Sequence, residues 1–316
     1  MRAFVFPGQG SQKVGMGADL AEASAAAREV FEEVDDALGQ KLSVIMREGP
    51  EDQLTLTENA QPAIMANAIA VLRVLEREGG ISLADKGDYV AGHSLGEYTA
   101  LCAAGAFSLA DTARLLKLRG RAMQAAVPVG VGAMAVLLGA DIEKAQALAD
   151  AAAPNPDGAR EVCTVANDND PAQVVLSGHL GAIERAIALV KEFGIKRGMA
   201  LPVSAPFHCP LMQPAADAMA EALEKTPPST LRLPLFANVT AAVVSDPAEV
   251  RRLLVEQVTG RVRWRESAIA MQAAGVERFV ELGGKVLGPM ISRTVQDVTV
   301  TSVVTMADIE ALAKEL

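Results

Sequence analysis

Gly92-His93-Ser94-Leu95-Gly96 spells GxSxG directly behind the apolar Tyr89-Val90-Ala91 and ahead of a helix-forming run. That context predicts a strand, a sharp turn and a helix. Such a turn holds a serine hydroxyl clear of its own backbone and leaves the next amide, Leu95 N–H, free to bind an oxyanion. The chemistry is nucleophilic attack on a carbonyl carbon. A serine nucleophile needs a base, and the chain has only three histidines. His93 sits inside the turn, where the backbone direction carries its ring away from the hydroxyl. His179 opens a predicted helix and reads as a surface residue. His208 lies in the loop Pro202 to Pro210, which three prolines stiffen. It also comes late in the chain, as the histidine of hydrolase-like triads does. Cys209 beside it is the rival nucleophile, disfavoured because neighbouring side chains of an extended loop diverge.

The elements that must position these residues alternate between strand and helix. Ala3-Phe4-Val5-Phe6 is a short apolar run closed by Pro7-Gly8, as a buried strand would be. The loop Gly8-Gln9-Gly10-Ser11-Gln12 follows. It is not a nucleotide loop, because Lys13 stands where GxGxxG needs its third glycine and Met16 follows Gly15 where a P-loop needs lysine. It can instead offer a backbone N–H above the sheet. Helices are predicted over 24–38, with Ser24 as N-cap, over 59–78, and after Ser108, where Arg114, Lys117, Arg119 and Arg121 follow. From Pro128 the texture changes: strand 132–138, helix 141–153, strands 162–167 and 174–177, helix 180–193, strand 196–201. The order βαββαβ is the ferredoxin-like arrangement, so residues 128–200 are expected to form a small inserted subdomain between the two parts, 1–127 and 201–316, of a larger unit. Beyond it come a helix to Lys225, a strand at 235–237, helices over 248–258 and 264–274, and strands over 276–282 and 298–303. An α/β fold with a largely parallel sheet covered on both faces is expected.

Composition limits the partners. With 316 residues, 50% of them hydrophobic, and a mean hydropathy of +0.23, the chain is long and apolar enough for a sizeable core. A net charge of −10 and an aromatic content of 3% argue against nucleic acid, which calls for excess Lys and Arg and for stacking surfaces. No apolar run nears the roughly 20 residues of a membrane helix. The N-terminus reaches Pro7 too soon for a signal-peptide core. Cys102, Cys163 and Cys209 form no CxxC pair, so reduced thiols and a cytoplasmic location are expected.

Several stretches together resemble the malonyl-CoA:acyl-carrier-protein transacylases, the FabD-type acyltransferases of fatty-acid synthesis. They are Phe6 to Gln12, Gly92 to Glu97, Leu118-Arg119-Gly120, Val203 to His208 and Glu281 to Leu287, in the family's order over nearly the whole chain. The resemblance implies an α/β-hydrolase-like core with a ferredoxin-like insertion. It makes Ser94 the acyl-accepting nucleophile and His208 its base. Arg119 would receive the free carboxylate of malonate, and the amides of Gln9 and Leu95 would form the oxyanion hole. Gln257 matches a glutamine whose main-chain carbonyl orients the histidine. Asn167 and Gln173 match positions that border the cleft, and Phe207 resembles the malonyl-type rather than the methylmalonyl-type enzymes. The pair Gly283-Gly284 departs from the more usual Gly-Pro-Gly turn. Malonyl-CoA and acyl carrier protein are the implied partners of a monomer that needs no metal or redox cofactor. Lys191, Lys196, Arg197, Arg261, Arg263 and Arg265 are candidates for drawing in those negative partners. A serine esterase or thioesterase shares the elbow and the histidine. A silent acyltransferase-like scaffold is the other alternative, against which the retention of both Ser94 and His208 speaks.

Overall fold

The computed structural model describes residues 1–203 and 205–316; Ser204 of the Val203 to His208 stretch lies outside the described residues. Ten strands occur among these residues: β1 (Arg2–Phe6), β2 (Tyr89–Gly92), β3 (Gly132–Leu138), β4 (Cys163–Asp170), β5 (Gln173–His179), β6 (Arg197–Ala200), β7 (Leu235–Ala237), β8 (Ala242–Val244), β9 (Arg278–Leu282) and β10 (Thr299–Val303). They form two sheets, one in the order β10-β9-β1-β2-β7-β8 and one in the order β4-β5-β3-β6. In the larger sheet only the edge strand β8 runs antiparallel to its neighbour. The smaller sheet is antiparallel throughout. The chain is thus α/β with a mostly parallel main sheet.

Period-two alternation explains how each sheet is covered. Along β1, Phe4 and Phe6 enter one apolar cluster while Ala3 and Val5 enter the cluster on the opposite face. The first cluster is built around the helix Thr57–Arg77, which is buried on nearly every side. The second holds Trp264, the single tryptophan, 1% exposed. The same alternation in β3 turns Ala135 and Leu137 toward the helices Ile142–Ala152 and Leu180–Leu189, while Met134 and Val136 join the main core. Burial on both faces is what makes β1 and β2 near-continuous apolar runs. No helix among the described residues is long and apolar enough to cross a membrane.

Several expectations need correction. The strand expected over 162–167 extends through Asp168, Asn169 and Asp170. These three residues are polar, but Asp168 N–H donates to Val262 O at 2.9 Å and the carboxylates of Asp168 and Asp170 are met by Arg265 and Arg293. Helices over Ala18–Ala23, Leu42–Glu48, Leu287–Thr294 and Met306–Glu315 and the short strand β8 were not anticipated. His179 is no plain surface residue: it ends β5, is half-buried, and its Nδ1 accepts the Val162 N–H at 2.9 Å.

Candidate active site

β2 ends at Gly92 and the helix Leu95–Ala103 begins at Leu95, so two residues make the whole turn. Only glycine fits at its two ends. A Cβ on Gly92 would lie 1.9 Å from Gly96 O, and one on Gly96 would lie 2.3 Å from Phe6 O. Ser94 takes φ 54° and ψ −112°, a left-handed conformation that an L-residue adopts only where its surroundings impose it. Asn238 imposes it here, accepting Ser94 N–H on Oδ1 at 2.8 Å and donating Nδ2–H to Gly92 O at 2.7 Å.

The hydroxyl so presented meets His208, with Ser94 Oγ 2.7 Å from Nε2. On the far side of the ring, Nδ1 lies 2.9 Å from the main-chain carbonyl of Gln257. A carbonyl oxygen can only accept, so Nδ1 carries the proton and Nε2 is left as the acceptor of the serine proton. His208, like Ser94, has a positive φ, 55°. Burial, and then the positive charge of Arg119, push the imidazole down to about 3. It is held neutral, which is the state a general base requires.

Arg119 comes from the helix Leu109–Ala125, which Ser108 caps by accepting Asp111 N–H at 3.0 Å. Its neighbour Gly120 lets that helix close on the start of the helix Thr57–Arg77, since a Cβ there would lie 2.5 Å from Glu58 Cα. The basic run divides accordingly. Arg114 and Arg121 stay exposed in ion pairs with Asp111 and Glu58, whereas Lys117 is buried against Glu58, Gln40 and Asn59. Arg119 is 1% exposed. Its Nη1 donates to Gln61 Oε1 at 2.8 Å, and its Nη2 donates to Gln257 Oε1 at 2.7 Å and to Ser94 Oγ at 3.2 Å. Among the described residues no carboxylate pairs with it directly. The guanidinium carbon lies 5.6 Å from the centre of the Tyr98 ring, but neither its Nε nor Tyr98 Oη makes an aligned hydrogen bond. A buried cation held by neutral amides is set up to take an anionic partner.

A cleft of about 350 Å³ opens over Ser94 and His208; Arg119, 1% exposed, is not among the residues that line it. Gln9, His93, Asn167, Gln173 and Phe207 line it together with Ser94 and His208, and Val286, Leu287 and Met290 supply an apolar wall. Gln9 is held by its side chain, whose Oε1 accepts from Thr57 Oγ1 at 3.0 Å. Leu95 is the first residue of its helix, where backbone N–H groups lack an intrahelical acceptor. His93 turns from the hydroxyl, as its backbone direction predicted, and its Nε2 meets Asn169 Oδ1 at 2.8 Å. A groove of similar volume, about 370 Å³, near Phe31 and Arg47 has one hydroxyl, Ser43, which Asp35 binds, and no imidazole. Size alone therefore does not pick out the site. Cys209 is fully buried, donates to Pro206 O at 3.2 Å, and has its thiol pushed up by burial, so it does not compete as a nucleophile.

Some residues of the site carry no signal in the sequence. Asn238 and Gln61 fall in no motif, and Glu97 only closes the stretch Gly92 to Glu97 with no role of its own implied. Glu97 is 1% exposed, and burial raises its carboxyl to about 7 against the pull of its N–H donors and of Arg119. The arginines 261, 263 and 265 correct an expectation. Arg261 and Arg263 share Glu266, and Arg265 pairs with the buried Asp168 at 2.9 Å, so two acids offset three cations and the cluster keeps one net positive charge rather than three.

Residues 3–308 match the acyl transferase domain family. The malonyl CoA-acyl carrier protein transacylase of Bacillus subtilis is 43% identical over 292 residues, 92% of this chain and 89% of that protein. The acyl-carrier-protein-S-malonyltransferase of Bartonella henselae superposes with a TM-score of 0.95 at 51% identity, covering 99% of this chain and 98% of that one. A malonyl-transacylase solved in complex with its type II PKS acyl-carrier protein superposes with a TM-score of 0.94 at 37% identity, covering 100% of this chain and 99% of the matched chain. An elbow serine, a neutral histidine and a buried arginine at one point, in a chain similar over its whole length to these proteins, lead to one conclusion: the chain belongs to the acyl transferase domain family and, within it, to the malonyl-CoA:acyl-carrier-protein transacylases.

Proposed function

We propose that the protein transfers the malonyl group of malonyl-CoA to the phosphopantetheine thiol of an acyl carrier protein through a malonyl ester on Ser94. His208 Nε2 takes the serine proton as Oγ attacks the thioester carbonyl, and returns a proton to the departing CoA thiolate. The carrier thiol then gives its proton to His208 and attacks the ester; the Ser94 Oγ–acyl bond breaks and His208 returns the proton to Oγ as the new thioester leaves. The main-chain carbonyl of Gln257, which accepts from Nδ1, takes the orienting role that an aspartate has in a triad. The amides of Gln9 and Leu95 stabilise the tetrahedral alkoxide, each worth about 3 kcal/mol. A covalent relay lets the first carrier leave before the second arrives, and the reading calls on no metal or redox cofactor.

One observation carries the choice of substrate: the buried Arg119 Nη2 stands 3.2 Å from Ser94 Oγ. The carboxylate of malonate is only two C–C bonds of about 1.5 Å from the carbon under attack. A cation that recognises it must lie this close to the nucleophile. A serine esterase has no use for a desolvated cation there. Arg119→Ala is expected to cost malonyl transfer roughly 3 to 5 kcal/mol, on the order of a hundredfold or more in kcat/KM. Acetyl transfer should hold steady or rise, because the pocket no longer strands an unpaired cation beside a methyl. Equal losses for both substrates would make Arg119 a structural residue.

The architecture is read in the same way, as a hydrolase-like core of residues 1–127 and 201–316 with a ferredoxin-like insertion of residues 128–200. In support, β3 to β6 form a sheet of their own in the order β4-β5-β3-β6, backed by an apolar cluster drawn from residues 135–195.

A further inference from the structure

Gln257 has two jobs that need its side chain and its main chain at once. Its carbonyl receives His208 Nδ1–H, and its side-chain Oε1 receives Arg119 Nη2–H at 2.7 Å. An amide can be turned end for end at no steric cost, so something must decide which end faces the arginine. Three acceptors surround the other end: Glu97 Oε2 at 2.6 Å, Ser94 O at 2.9 Å and Asn238 Oδ1 at 3.3 Å. The shortest is the carboxylate of Glu97, whose Oε1 is itself taken by the main-chain N–H of Asn238 at 2.9 Å. Glu97 and Gln257 are 1% and 0% exposed, so no solvent can substitute for either partner.

We propose that Glu97 is a positioning residue for acyl selection: by accepting from Gln257 Nε2 it turns the amide oxygen toward Arg119 and so aims the guanidinium at the acyl group on Ser94. Among the described residues the Glu97 side chain bonds only to Asn238 and Gln257, not to the reacting atoms, although its main-chain N–H donates to Ser94 O at 3.0 Å. It acts through Gln257, and its role rests on the reading of Arg119 as the receptor of the malonyl carboxylate. The pair also links two segments far apart in the chain, the elbow helix Leu95–Ala103 and the helix Pro247–Thr259. Turning the elbow and setting the arginine thus share one hydrogen-bond network, in which Asn238 holds the serine amide and Glu97 holds both Asn238 and Gln257.

Glu97→Gln tests this with almost no change of shape. The main-chain N–H of Asn238 cannot turn, so it claims the new amide oxygen and leaves the new NH2 facing Gln257 Nε2. Two donors then oppose each other. Gln257 either loses that partner or turns over, which points its NH2 at Arg119 and its oxygen at Ser94 O. Turning over misplaces the guanidinium; an amide still held by Ser94 O at 2.9 Å would leave it in place, and the malonyl-to-acetyl preference would then survive. The variant is expected to lose roughly tenfold to a hundredfold in kcat/KM for malonyl-CoA, mainly through KM. Acylation by acetyl-CoA and labelling of Ser94 by a small fluorophosphonate should stay within about threefold of the parent, the scatter to allow for a context-dependent effect. A malonyl-to-acetyl preference that survives the change, or an equal fall in all three rates, would overturn the proposal. A parent protein that takes acetyl as readily as malonyl would overturn the function reading along with it, which separates the two failures. Should Glu97→Gln not fold, neutron diffraction from the deuterium-exchanged parent protein answers instead. Deuterons on the Gln257 amide end that faces Glu97 support the proposal. Deuterons on the end that faces Arg119 refute it.

Discussion

His208 shows most directly how the surroundings of one residue set its chemistry. Burial lowers its pKa first and the charge of Arg119 second, to about 3 from an ordinary value of 6.5. The base works only when neutral, so activity is lost as pH falls through the folded value. The sign is therefore clear for the base alone: kcat/KM for acetyl-CoA, which draws on neither Arg119 nor Glu97, should show no fall between pH 7.5 and 5.5, whereas protonation of Glu97 near 7 adds its own effect on malonyl-CoA. A fall centred near 6.5 would mean that the imidazole is hydrated in the working enzyme. Arg119→Ala removes one of the lowering causes and should move the acid limb upward. At this scale the sequence was informative where a motif fixed the geometry. Ser94 follows from GxSxG, and His208 from a proline-bounded loop. The main-chain role of Gln257 came only from resemblance, because a carbonyl is carried by every residue type. Glu97, Gln61 and Asn238 were not read as site residues, since one polar side chain inside an apolar run has no periodicity to betray its partner.

The elbow is the element on which the site depends. Its helix packs so closely on the end of β1 that a Cβ on Gly96 would lie 2.3 Å from Phe6 O and 2.8 Å from Pro7 O. Both are backbone atoms just before the loop that carries Gln9, and they cannot rotate away. Gly96→Ala should therefore cost about 1 to 3 kcal/mol of stability and slow Ser94 acylation more than acyl-CoA binding, because on the proposed function the displaced segment holds an oxyanion donor. Urea unfolding together with burst kinetics would check this, and a variant that keeps full acylation would separate the loop from the oxyanion. Strong alternation or a capping residue made most elements legible, as with Ser24 ahead of Ala25–Leu38. The polar end of β4 was not, because its buried carboxylates answer arginines about a hundred residues away in sequence. The helix Leu287–Thr294 was hidden by Gly288 and Pro289 in its first turn, although Glu281 fixes its start by accepting from the amides of Val286, Leu287 and Gly288.

The whole molecule carries a net charge of −10 and, on the proposed function, must receive two negative partners. Attraction has to come from a local positive field. Arg261, Arg263 and Arg265 are offset by two acids and leave one net charge, while the exposed Lys191, Lys196 and Arg197 at the edge of the smaller sheet supply three. Replacing all three by neutral residues should raise KM for the carrier protein, and more so at low salt, where screening is weak. A KM that is equal at every ionic strength would move the docking surface elsewhere. That division of the chain into two sheets was legible in the order of strands and helices; the pairing of surface charges was not, because ion pairs across the fold leave no local pattern.

On the proposed function Ser94 carries the malonyl group between two thiols. Intact-mass spectrometry after mixing with malonyl-CoA tests it most directly. The parent protein should gain one malonyl group, lose it to added carrier protein, and release little free malonate, while Ser94→Ala gains none and keeps its fold. An adduct that persists in Ser94→Ala, or a parent protein that gains none or only hydrolyses malonyl-CoA, would contradict the account.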